Sequence, residues 1–96
     1  MHHPQMHIEH DTDAARFIAH IPGGGNAILT YDRPHPTVID VRTTYVPIKE
    51  RGKGIASALM QAAVDYAREQ GYHVIPTCSY ARDWFEKHGQ EADLVR

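Results

Sequence analysis

The residues best suited to chemistry stand together in Pro47-Ile48-Lys49-Glu50-Arg51-Gly52-Lys53-Gly54. Three cations, Lys49, Arg51 and Lys53, are interleaved with Gly52 and Gly54, and the segment opens into an apolar stripe of helical period. The first amides of a helix have no partners within it and point outward. The helix dipole adds about half a positive charge at that end. Glycine at 52 and 54 removes the side chains that would hold an anion away from the backbone. A phosphate or pyrophosphate is the natural guest of such a junction. Two other phosphate loops fit poorly. A nucleotide P-loop needs Gly-Lys-Ser/Thr, and Gly54 is followed by Ile55. A dinucleotide fingerprint needs a third glycine where Ser57 stands. A solvated turn with incidental charges is the alternative reading of the loop alone.

Placing that loop takes a strand before it and a helix after it. Ile55, Leu59, Ala62, Ala63, Tyr66 and Ala67 recur at three and four residues, which predicts a helix over 54–70 with Gly71 as its stop. The β-branched run over 37–46 reads as the central strand, ended by Pro47. Upstream, 6–10 alternates weakly, and 15–21 carries Phe17, Ala19 and Ile21 on one face. The turn cluster Pro22-Gly23-Gly24-Gly25-Asn26 joins that run to a strand over 27–31, which predicts an antiparallel hairpin. Asp32-Arg33-Pro34-His35-Pro36 reads as a second turn. After Gly71, 72–76 is a short strand. Ser79 reads as the N-cap of a helix over 80–88, with Trp84 and Phe85 on its buried side and Gly89 as its stop. The tail, with Glu91, Ala92 and Asp93, reads as polar, solvated surface. The strand–helix–strand unit over 37–76 is expected to be a right-handed crossover between parallel strands. The expected class is α+β: a mixed, mostly antiparallel sheet with one long and one short helix packed on it.

With 96 residues the chain is one domain, 1–96, with 1–5 expected to be flexible. Hydrophobic residues at 42% and charged residues at 23% are ordinary for a soluble globular domain. A net charge of −2 argues against general affinity for nucleic acid. The single cysteine, Cys78, rules out an internal disulfide and fits a reducing cytoplasm. No apolar run approaches the ~20 residues that span a membrane. Met1-His2-His3-Pro4-Gln5 lacks the apolar segment of a secretory signal. Histidines crowd the start at His2, His3, His7 and His10, but no Cys or carboxylate partner recurs at a closed-site spacing. They read as a polar terminus, and no metal is expected.

The segment Arg51-x-x-Gly54-x-Ala56 resembles the phosphate-binding signature of the GNAT superfamily of N-acetyltransferases. There the pattern is Gln or Arg, two residues, Gly, one residue, then Gly or Ala, at the start of the long helix. Val46-Pro47 before the loop and Val74-Ile75-Pro76-Thr77-Cys78-Ser79-Tyr80 after the helix resemble a small single-domain branch with a Cys at this strand end. The resemblance implies acetyl-CoA as co-substrate and an amine as acceptor. The pyrophosphate would rest on the amides of Gly52, Lys53, Gly54, Ile55 and Ala56, near the Arg51 and Lys53 side chains. The pantetheine arm would bond to backbone at Tyr45 and Val46. A backbone N–H near Val46 would face the oxyanion, and Tyr80 would protonate the leaving thiolate; a Tyr packed over the strand edge is the other reading.

Cys78 has two readings. A helix N-terminus lowers a thiol pKa, so it could accept acetyl or relay a proton; free Cys is also often a small buried residue. The sequence departs from the resembling branch before Val46. That branch often has His-Thr-Glu; here stand Thr43-Thr44-Tyr45. A general base would come from His73, His88, Asp40 or water. Such a base contributes about 10²–10⁴ in rate, whereas positioning two reactants supplies about 7–11 kcal/mol. Transfer can therefore proceed without a dedicated base, above all on an amine of low pKa. Two other functions stay open: a coenzyme A-binding module with little chemistry, and a protein-interaction domain with no ligand. The acceptor side is expected to be shallow, suited to an exposed protein amine or a small molecule. A homodimer that completes it is also open.

Overall fold

Period-2 alternation puts one face of each N-terminal strand inward. A computed structural model describes residues 6–96, so the expectations for 1–5, with His2 and His3, lie outside the described residues. Strands β1 (His7–Asp11), β2 (Arg16–Ile21), β3 (Gly25–His35) and β4 (Val38–Tyr45) form an antiparallel meander, and β5 (His73–Pro76) joins β4 in parallel. Helix α1 (Ile55–Gln70) links β4 to β5, and α2 (Ser79–Lys87) follows. This is the α+β architecture expected: a mixed, mostly antiparallel sheet with one long and one short helix on it.

The core forms between one sheet face and both helices. Leu29, Ile39 and Val41 from the sheet meet Leu59, Met60 and Val64 from α1, all at 0% exposure. Trp84 and Phe85 of α2 are buried as expected. The α1 stripe is turned relative to the expected one. Met60 and Val64 are buried, whereas Ala62 and Tyr66 are half-buried at its border. Among the described residues no helix covers the opposite sheet face.

Four local expectations are corrected. β4 is the fourth strand, with β3 in the middle of the sheet. β3 runs on through the expected turn to His35. Pro34 is tolerated there because the register slips between Asp32↔Asp40 and His35↔Val38, where no regular ladder needs its missing N–H. Cys78, with an extended backbone, caps α2, and Ser79 is already its first residue. Ala92 and Asp93 of the tail are exposed as expected, but the tail as a whole docks, as a 3-10 turn over Gly89–Leu94. Leu94 is 6% exposed, Arg68 of α1 bonds Asp93 and Glu91, and Arg96 N–H donates to Val74 O at 3.0 Å.

A bulge prepares the site. Thr30 pairs with Thr43 and Tyr31 with Val41, so Arg42 is an extra residue in β4. β5 stops at Pro76 opposite Val41, where Cys78 N–H donates to Val41 O at 2.9 Å. Beyond that point β4 continues to Tyr45 without β5 beside it.

Candidate functional site

Pro47 ends β4, and a 3-10 turn over Ile48–Glu50 carries the chain to Arg51. Gly52 and Gly54 both take φ +81°, the left-handed region. Gly54 caps α1 without any side-chain hydrogen bond. The first helical bond runs from Ala58 N–H to Gly54 O at 3.0 Å. The amides of Ile55, Ala56 and Ser57 precede it and meet no acceptor among the described residues. That leaves donors and a positive dipole end facing outward.

They face a cleft of about 440 Å³ between the end of β4 and the start of α2. Tyr45, Val46, Arg51, Gly52, Gly54, Ile55, Ala56 and Tyr80 line it, so most of the residues singled out from sequence meet at one place. Lys53 and Cys78 do not line it. Lys53 Nζ is bonded to Glu50 Oε2 at 2.9 Å. Cys78 is half-buried behind Thr44, its Sγ 3.8 Å from Thr44 Oγ1. Arg51 Nε donates to Val46 O at 3.1 Å, which ties the loop back to the strand end. The Val46 N–H lies past the last ladder pair, Ile28↔Tyr45, and meets no acceptor among the described residues.

Tyr80 stands in the first turn of α2. Burial pushes its phenol above the ordinary 10.0, and the adjacent Ser57 hydroxyl opposes that shift. Ser57 Oγ also accepts from Trp84 Nε1 at 3.1 Å, so a buried indole fixes the group beside Tyr80. Near neutrality Tyr80 is a proton donor. The three side chains named as bases lie elsewhere. Asp40 faces Arg42 at 3.4 Å on β4. His73 starts β5 at the far end of the sheet, paired with Val38. His88 closes α2, stacked on Trp84 at 3.9 Å.

Three cleft residues escaped the sequence reading: Thr44, Glu50 and Ser57. Among the described residues Glu50 is the one carboxylate lining the cleft, its side chain 15% exposed. Its Oε1 lies where a Cβ on Gly24 would sit, 2.6 Å away, so the β2–β3 turn presses directly on the loop. The available signal was its place between Lys49 and Arg51, masked by the attention those cations draw. Among the described residues no group of three or more His, Cys, Asp or Glu could hold a metal, and no helix is long and apolar enough to cross a membrane.

Comparison with known proteins agrees with this fold. A family model described as GCN5-related N-acetyl-transferase matches residues 16–94. The proteins called NATD1 from Gallus gallus and Homo sapiens are each 30% identical over 84 residues, covering 86% of this chain and 76% and 74% of their own lengths. A Staphylococcus aureus protein whose solution structure is described as GCN5-like superposes with a TM-score of 0.71 at 23% identity, covering 98% of this chain and 91% of that one.

Proposed function

Because this chain belongs to the GCN5-related N-acetyltransferase family, we propose that it binds acetyl-CoA at the β4–α1 junction and passes the acetyl group to an amine. One observation carries the binding step. The unpartnered amides of Ile55, Ala56 and Ser57, directly after the left-handed Gly52 and Gly54, open onto the same cleft as Val46 and Tyr80. Acetyl-CoA supplies an activated thioester. The chain's residues do the rest. Amides over 52–56 hold the pyrophosphate, and the Tyr45 and Val46 backbone aligns the pantetheine arm. Arg51 is already positioned by its bond to Val46 O. The Val46 N–H faces the charge that develops on the thioester oxygen, a contribution of about 3–4 kcal/mol when well aimed. Tyr80 gives its proton to the departing sulfur. Lys53, paired with Glu50 Oε2, adds its charge to the loop from outside the cleft. Cys78 supports the turn into α2, since it stands behind Thr44. A reducing cytoplasm suits that lone thiol.

The test is thermal. A ligand at a hundred times its Kd adds about 2.7 kcal/mol, which raises Tm by ~10 °C or more in a domain of this size. Acetyl-CoA at millimolar concentration that leaves Tm unmoved overturns the proposal. The positions of Asp40, His73 and His88 outside the cleft favour a second reading, binding with little turnover. It predicts the same shift with no free thiol released.

A further inference from the structure

The nature of the acceptor follows from what the cleft offers it, given the acetyltransferase reading above. Tyr45 is the last residue of β4. It pairs with Ile28, while its neighbour Thr44 pairs with the core residue Leu29, so the Tyr45 side chain lies on the sheet face that no helix covers among the described residues. It is 54% exposed, yet it lines the same cleft as Val46 and Tyr80. Ile48, 79% exposed, begins the turn that brings Glu50 and Arg51 into the cleft. Ligand pockets are lined mainly by apolar and aromatic side chains with a few polar groups that orient the guest. Here the aromatic surface is on the open side, away from the phosphate cradle.

The second observation is the state of the acid–base groups. No histidine is among the described residues lining the cleft, and Glu50 is the one carboxylate there. Its Oε2 is held by Lys53 at 2.9 Å and its other oxygen is packed against Gly24. Tyr80 holds its proton. An alkylammonium with a pKa near ~10 is only about one part in a thousand neutral at pH 7, and such an acceptor leans on a base. An amine whose lone pair is delocalised into an aromatic ring arrives already neutral. The same ring supplies a flat apolar face that a tyrosine ring receives by stacking.

We infer that the acceptor is a weakly basic aromatic amine whose ring lies against Tyr45 and whose neutral nitrogen attacks the thioester. The nitrogen bonds to the acetyl carbon and the carbon–sulfur bond breaks. One proton leaves nitrogen for solvent, Tyr80 donates one to sulfur, and solvent restores the phenol. The products are an N-aryl acetamide and free coenzyme A.

The experiment compares aniline with cyclohexylamine, a ring of similar size, on the full chain at saturating acetyl-CoA, following thiol release. Aniline is expected to be preferred in kcat/KM at pH 7 by about 100-fold, the scale of a general base, and its rate should be flat from about pH 6.5 to 8.5. The cyclohexylamine rate should climb about tenfold per pH unit as the free amine appears. Tyr45→Ala should raise KM for aniline at least fivefold, and Tyr45→Phe should restore it. A preference for cyclohexylamine, or no thiol release from either amine while acetyl-CoA still raises Tm, overturns this inference and leaves the binding reading standing. Loss of the acetyl-CoA shift itself brings down both.

Discussion

At Gly24 an added Cβ would lie 2.6 Å from Glu50 Oε1 and 2.8 Å from Ile21 Cγ2. At Gly54 it would meet nothing within 4 Å, but φ there is +81°. The two sites therefore fail differently when substituted. Gly24→Ala drives Glu50 out of its seat and loosens Lys53; a loss of about 1–3 kcal/mol is expected from overpacking, read by urea denaturation. Gly54→Ala costs about 1–2 kcal/mol from the left-handed backbone, and its methyl intrudes where phosphate oxygens approach. Its signature is a weakened acetyl-CoA Tm shift beyond the stability loss. Tyr80→Phe removes the proton donor alone; kcat should fall about 100-fold with the KM for acetyl-CoA little changed in steady-state kinetics. At this scale the sequence was informative where chemistry is local. Arg51, Gly52 and Gly54 marked a loop-to-helix junction by their order along the chain, and all three line the cleft. Glu50 did not declare itself, because its partner Gly24 is joined to it only by folding.

The elements repeat that division. The stripe of α1 was readable as a helix, yet its buried centre shifted to Met60 and Val64. Three-and-four spacing fits two adjacent faces when alanines are plentiful, and only the sheet's shape chooses between them. Leu59 belongs to either choice and is 0% exposed. Leu59→Ala should cost about 2–5 kcal/mol, measured as a fall in the denaturant midpoint with an unchanged slope. β3 outran its expected end because Pro34 falls on a register slip, and a slip is a property of two strands together. The α2 cap fell one residue early, on Cys78 in place of Ser79, the one-residue uncertainty common at helix ends. The tail looked solvated by composition. Arg68 and the buried Leu94 hold it, through contacts between segments far apart in sequence.

For the molecule as a whole, acid is the relevant stress. His10 stacks on Phe17 at 4.0 Å, edges onto Tyr66 at 4.4 Å and shares a 2.6 Å hydrogen bond with the Tyr31 hydroxyl. Burial lowers its pKa below the ordinary 6.5, and Asp11 partly opposes this. The folded state thus binds that proton less readily than the unfolded chain. Stability is complete above 6.5 and declines as pH falls toward the lowered value. Asp93, held down by its hydrogen bonds to Arg68, adds a second decline below the ordinary 3.8. Urea midpoints should therefore rise with pH from about 5 to 7, and His10→Gln should flatten that rise. Such long-range encirclement of a histidine by β2, β3 and α1 could not be read from residue order. The strand–helix–strand plan could, because turn clusters and period changes are written locally.

The overrun of β4 past β5 has an evolutionary corollary. From Arg42 to Tyr45 one rank of main-chain donors and acceptors has no neighbouring strand on the β5 side. A guest whose amides are spaced like a peptide would be recognised there by polypeptide backbone, which every amino acid shares. On the proposed reading, the side chains at Thr43 and Thr44 can therefore change without loosening that grip.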